Sequence, residues 1–125
     1  MSSREGVLNQ MVVTGAFLAE HASTVDNSLS VTGGGVTKIT RPPGTPVTLF
    51  LVVLTRTDGD DIDCLNVELS GPDGRETTIE LPVPAMPKER ETGFAHWPLS
   101  LGDIPDGRHV FALGDKIFPL NVMSA

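Results

Sequence analysis

A chain of 125 residues, 39% hydrophobic and 20% charged, has the length and composition of one globular domain that needs neither disulfides nor metal to fold. Nine Lys and Arg against 16 Asp and Glu give a formal charge of -7, which repels phosphate backbones and anionic lipid, so nucleic acid and membrane surfaces are poor partners. Five Phe, one Trp and no Tyr leave no aromatic platform for stacking bases, and weaken a sugar-binding reading too.

Residues 1–10 mix acid, base and polar side chains where a signal peptide needs an unbroken apolar region, and read as an N-terminal arm before a β-sandwich domain over 11–125. Without a leader or a membrane span, the expected location is the cytoplasm or an assembly such as a virion. The first strand runs from Met11 to Glu20. A polar turn from Ser23 to Asn27 leads to a second strand, Ser28 to Thr32, and Gly33-Gly34-Gly35 then breaks or bulges the chain before Val36 to Thr40.

After Pro42-Pro43-Gly44 comes the most apolar run of the chain, residues 46–55. Drawn as a strand, it is greasy on both faces, with Val47, Leu49, Leu51 and Val53 on one and Phe50, Val52 and Leu54 on the other. A strand in a small antiparallel protein usually needs only one apolar face. A second sheet can cover one side; the other is expected to meet another chain. Phe50, Val52 and Leu54, or the opposite set, are therefore the candidate interface, with the N-terminal arm lying across a neighbour.

Downstream, Leu65, Val67 and Leu69 alternate with polar residues, Pro72-Asp73-Gly74 turns the chain, and Ile79, Leu81 and Val83 continue the alternation. Three prolines and Lys88-Glu89-Arg90-Glu91 mark residues 82–93 as an exposed connection. A strand from Phe94 to Leu101 puts Trp97, Leu99 and Leu101 on one side. Ile104-Pro105-Asp106-Gly107 then opens a closing hairpin of Arg108 to Leu113 and Lys116 to Val122, with Phe111, Leu113, Phe118, Leu120 and Val122 inward. Short strands punctuated by Gly and Pro predict an all-β, single-domain antiparallel sandwich of roughly seven to nine strands, immunoglobulin-like or jelly-roll in style.

Residues able to do chemistry are sparse and scattered. Asp58, Asp60, Asp61 and Asp63 with Gly59 form the densest acidic loop, read as a solvated turn with calcium as the alternative, because the spacing does not fit an EF-hand. The glycine triplet lacks the Gly-Lys-Ser/Thr ending and the following helix of a phosphate loop, and no Gly-x-Ser-x-Gly elbow occurs. His21, His96 and His109 lie in three separate units without a second ligand at zinc spacing. Ser23, His21 and Asp26 are too close in one turn to form a triad. Cys64, the only cysteine, excludes an internal disulfide and reads as a buried structural thiol.

The aliphatic stretch Phe17-Leu18-Ala19-Glu20, the segment Val31-Thr32-Gly33-Gly34-Gly35 and the closing Pro-x-Gly hairpin resemble a family of small uncharacterised bacterial β-sandwich proteins. Val36 stands where that family often has an aromatic, and His109 where it often has Tyr. The resemblance implies the sandwich and no function, since none is assigned to the family. The expected role is a non-enzymatic structural or protein-interaction module without cofactor, pairing with itself or with a larger assembly as a capsid-decoration protein would. The alternative is a sandwich that binds calcium or a small ligand, or an enzyme accessory domain, with its site at the 58–63 loop.

Overall fold

The computed structural model describes residues 12–56, 64–83 and 92–125. The N-terminal arm, the acidic loop with Asp58, Asp60, Asp61 and Asp63, and most of the 82–93 connection lie outside the described residues. Those described form nine strands and no helix: β1 (Val12–Val25), β2 (Ser28–Gly34), β3 (Lys38–Arg41), β4 (Val47–Arg56), β5 (Cys64–Ser70), β6 (Glu76–Pro82), β7 (Thr92–Gly102), β8 (Gly107–Leu113) and β9 (Lys116–Ser124). They make two sheets, ordered β2-β1-β4-β7 and β3-β9-β8-β5-β6.

That order is the immunoglobulin arrangement and not a jelly roll. β1, β4 and β7 stand as the A, B and E strands of one sheet, β5, β8 and β9 as the C, F and G strands of the other, and β6 extends the second sheet beyond C. All strand pairs are antiparallel except β3 with β9, which run parallel from Lys38↔Asn121 to Arg41↔Ser124. The chain thus starts in one sheet and crosses to the other before β4, closing the second sheet on its last strand.

The core between the sheets follows the period-two reading. Val47, Leu49, Leu51 and Val53 of β4 meet Leu65, Val67 and Leu69 of β5, Leu81, and Phe111, Leu113, Leu120 and Val122 of the closing hairpin. Ile79 and Phe118 are half-buried against them, and Phe118 stacks on Phe111 with ring centroids 5.5 Å apart. Trp97 carries its indole across the sandwich to donate Nε1–H to the Pro82 carbonyl at 2.6 Å, which satisfies the one polar atom of a buried ring.

At the far end of the sandwich, the buried Arg41 ties three segments together. Its guanidinium donates to Asp103 at 3.2 Å, to the Ile104 carbonyl and to Asp106 at 3.4 Å. Asp106 in turn accepts from the Ser124 backbone at 3.2 Å. The end of β3, the β7–β8 loop and the C-terminal end of β9 are thereby held to one planar cation.

The first hairpin differs from the sequence expectation. β1 does not stop at Glu20 but continues to Val25, and the turn is only Asp26-Asn27, at φ 52 and 63. Positive φ at both central residues is the two-residue hairpin turn that suits strand twist, and Asp and Asn tolerate it. The glycine triplet forms the bulge its composition suggests. The amides of Gly35 and Val36 both donate to the Leu18 carbonyl, at 2.8 and 2.9 Å, so two residues face one.

Candidate functional site

On the outer face of the four-stranded sheet, cross-strand pairing sets rows of side chains. Phe17, Val52 and His96 form one row, Ala19, Phe50 and Pro98 the next, and Gly15, Leu54 and Phe94 flank them on the other side. This is the face expected to meet another chain. Its cover is instead the chain's own β1–β2 hairpin. Thr24 lies seven residues beyond Phe17, so a straight strand would carry it roughly 23 Å along the axis. Yet Thr24 Oγ1 is 3.0 Å from Nε2 of His96, and the His21 ring stands edge-on to Phe50 with centroids 4.9 Å apart.

The ribbon therefore curls back over its own sheet, as strongly twisted two-stranded ribbons can. Its register is unbroken, Ala19↔Gly34 and His21↔Thr32, on either side of Glu20 and Gly33. Gly33 takes φ +61 at that level, and the Glu20 side chain occupies the space where a Cβ at 33 would stand. Ala19, Ala22 and Val52 are buried beneath the curl, with Phe17, Leu29, Val31 and Phe50 half-buried around them.

Among the three interface candidates, Val52 is thus corrected. It is 0% exposed inside the subunit and no surface for a partner. Phe50 is half-buried by His21, and Leu54, in the flanking row, is 38% exposed.

A second apolar surface lies on the outer face of the five-stranded sheet. Val110 faces Pro119 across β8 and β9, and Ala112 faces Ile117. All four point away from the core set Phe111, Leu113, Leu120 and Val122. Ile117 is 70% exposed and Met123, on the same face, 45%. Charges flank this centre unequally. Lys38 and Arg108 occupy one row with Asn121, on the β3 side. Glu68 pairs beside Ala112 and Glu80 beside Asn66, towards the β6 edge. The face is basic at one end, apolar in the middle and acidic at the other.

Other sequence candidates stay apart. His21 belongs to the covering hairpin itself and His96 lies beneath its tip, whereas His109 is 2% exposed on the inner side of β8. Nε2 of His109 is 2.8 Å from the carbonyl of Pro105, four residues upstream. In immunoglobulin sandwiches a Tyr near the start of the F strand reaches back to the backbone in the same way. Cys64 is half-buried, not fully buried, because it falls on the outward phase of β5, with Sγ 3.7 Å from Glu80. Among the described residues no group of three or more His, Cys, Asp or Glu could hold a metal ion, and no helix is long and apolar enough to cross a membrane.

The outward apolar set did have a signal in the sequence. Val110, Ala112, Ile117 and Pro119 are out of phase with the core residues of their strands, as Phe50, Val52 and Leu54 are in theirs. Comparison with family models, with curated proteins and with solved structures finds no match.

Proposed function

We propose that the protein is a non-enzymatic interaction module that pairs with a second copy of itself through the outer face of the five-stranded sheet, as a subunit of a larger assembly. The observation that carries this reading is the self-complementary order of that face: basic Lys38 and Arg108, then Val110, Ala112, Ile117 and Pro119, then acidic Glu68 and Glu80. A two-fold axis in the contact plane, at right angles to the line from the basic to the acidic end, lays the basic end of each copy over the acidic end of the other. It also stacks the two apolar centres. Homo-oligomers commonly have such isologous contacts, and the charges fix orientation while the apolar centre supplies burial. A repeating subunit of a shell would use the same contact.

Charge exchange tests this reading. One variant carries Lys38→Glu with Arg108→Glu, and the other Glu68→Lys with Glu80→Lys. Each alone sets like charges against like and sediments as a monomer; an equimolar mixture recovers the dimer. Two variants that both sediment as wild type, or a mixture that stays monomeric, would reject the proposed pairing.

A further inference from the structure

We propose that the five-stranded sheet continues from one copy of the chain to the next, the free edge of β6 in one copy pairing antiparallel with the free edge of β3 in another. β3 and β6 are the outermost strands of that sheet. Outermost strands present unpaired backbone groups and act as templates for a further strand.

Hydrogen-bond phase identifies those groups. The Gly71 amide donates to the Arg75 carbonyl at 2.8 Å, in line with the β5–β6 register Ser70↔Glu76 and Leu69↔Thr77. Opposed residues of an antiparallel pair alternate between exchanging both backbone bonds and exchanging none. Thr77, Ile79 and Leu81 therefore bond to β5, and Glu76, Thr78 and Glu80 turn their N–H and C=O to the free side. Pro82 shares that phase, and its carbonyl accepts from Trp97. On β3, the carbonyls of Thr37 and Arg41 accept from the Asn121 and Ala125 amides at 2.9 and 2.8 Å. Thr37, Ile39 and Arg41 thus face β9, and the backbone groups of Lys38 and Thr40 face away from it. A concavity of about 590 Å³ opens beside them, lined in part by Lys38, Thr40, Glu20, Thr48 and Leu49.

The two edges match. β3 runs parallel to β9, and each of the three further steps to β6 is antiparallel, so β3 and β6 run in opposite directions. A copy added along the sheet with the same face outward brings them together antiparallel. Setting Lys38 opposite Glu80 sets Thr40 opposite Thr78, and both pairs then exchange backbone bonds between groups on the free sides. Ile39 falls opposite Ile79 on the inward side, where both are half-buried. Opposite-charge and Thr–Thr pairs are favourable across antiparallel strands. Like edges repel, because each β6 carries Glu76 and Glu80 and each β3 carries Lys38.

The matched edges lie on opposite sides of one sheet, so the contact is head-to-tail and repeats instead of closing on two subunits. It is separate from the two-fold contact of outer faces and extends an assembly in a second direction. Four residues on each side fall well short of the roughly 1,200 Å² of a stable interface, so the contact closes only at about millimolar protein and leaves dilute solutions unpolymerised.

NMR of ¹⁵N-labelled protein from about 0.05 to about 3 mM tests the contact in the Ile117→Asp background, which removes the face pairing and touches neither edge. The expected result is that the amides of Glu76, Thr78 and Glu80 and those of Lys38 and Thr40 shift together with concentration. Thr78→Pro removes an outward N–H without breaking a bond to β5, and Thr40→Pro does the same on β3. Each alone loses the shifts. Mixing the two restores them, at β6 when the Thr40→Pro protein carries the label and at β3 when the Thr78→Pro protein does. Glu80→Lys and Lys38→Glu repeat the test without altering the backbone: each alone weakens association by about tenfold, and their equimolar mixture recovers it. If a proline variant fails to fold, the charge pair decides. Absence of concentration-dependent shifts at about 3 mM, shifts away from the two edges, or a mixture of folded variants that stays monomeric overturns the proposal.

Discussion

Thr24 Oγ1 lies 3.0 Å from Nε2 of His96, joining residues 72 positions apart and fixing the tip of the first hairpin over the far edge strand of its own sheet. β4 can therefore be apolar on both faces within one subunit, because the sandwich core takes one face and the curled ribbon takes most of the other.

Substitutions in β4 separate these environments. Val52→Asp places an unpaired charge beneath the hairpin and is expected to cost about 4 kcal/mol or more, a large share of a domain's stability. Leu54→Asp, at a site 38% exposed, should change stability by about 0.5 kcal/mol or less. Urea melts of the two variants check this contrast; equal losses would mean that the ribbon does not seal the face.

Gly33 is the point where the ribbon needs a left-handed residue, at φ +61. Gly33→Ala should destabilise by about 1–2 kcal/mol, since a residue with a Cβ is strained there. Gly35→Ala, also at positive φ but with open space around it, carries the φ cost without the Glu20 contact. Thermal melts should rank Gly33→Ala as the more damaging of the two.

Phe111 is 0% exposed between the sheets and stacked on Phe118. Phe111→Ala should cost about 3–5 kcal/mol in denaturant melts through the cavity it leaves. A loss below about 1 kcal/mol would contradict the assigned inward face of β8.

Strand periodicity made most of the sandwich legible before the structure. Leu65, Val67, Leu69, Leu81, Phe111 and Leu113 are buried as their alternation requires, since each strand reports its own faces locally. The curl of β1 was not legible, because nothing local distinguishes a strand that ends at Glu20 from one that bends there. Only the contacts of Thr24 with His96 and of His21 with Phe50 reveal it. For the same reason a partner was inferred for Val52 when the cover was intramolecular. The second face has no such local mark: Val110 and Ala112 sit on one strand and Ile117 and Pro119 on another, and their adjacency appears only once β8 and β9 are in register. His109 was singled out as an unusual residue at a Tyr position, but its neighbours Gly71 and Asp73 come from the β5–β6 turn, more than thirty residues earlier.

Pairing through the five-stranded sheet is tested most directly by sedimentation velocity across a concentration series, comparing wild type with Ile117→Asp and Leu54→Asp. Ile117 is the most exposed large apolar side chain among the described residues, at 70%, so a charge there should leave the fold intact by circular dichroism while burying poorly in a contact. The expected result is a wild type and a Leu54→Asp variant that both sediment as dimers at high concentration, and an Ile117→Asp variant that stays monomeric. A wild type that remains monomeric throughout, or an Ile117→Asp variant that associates as wild type does, would contradict the account.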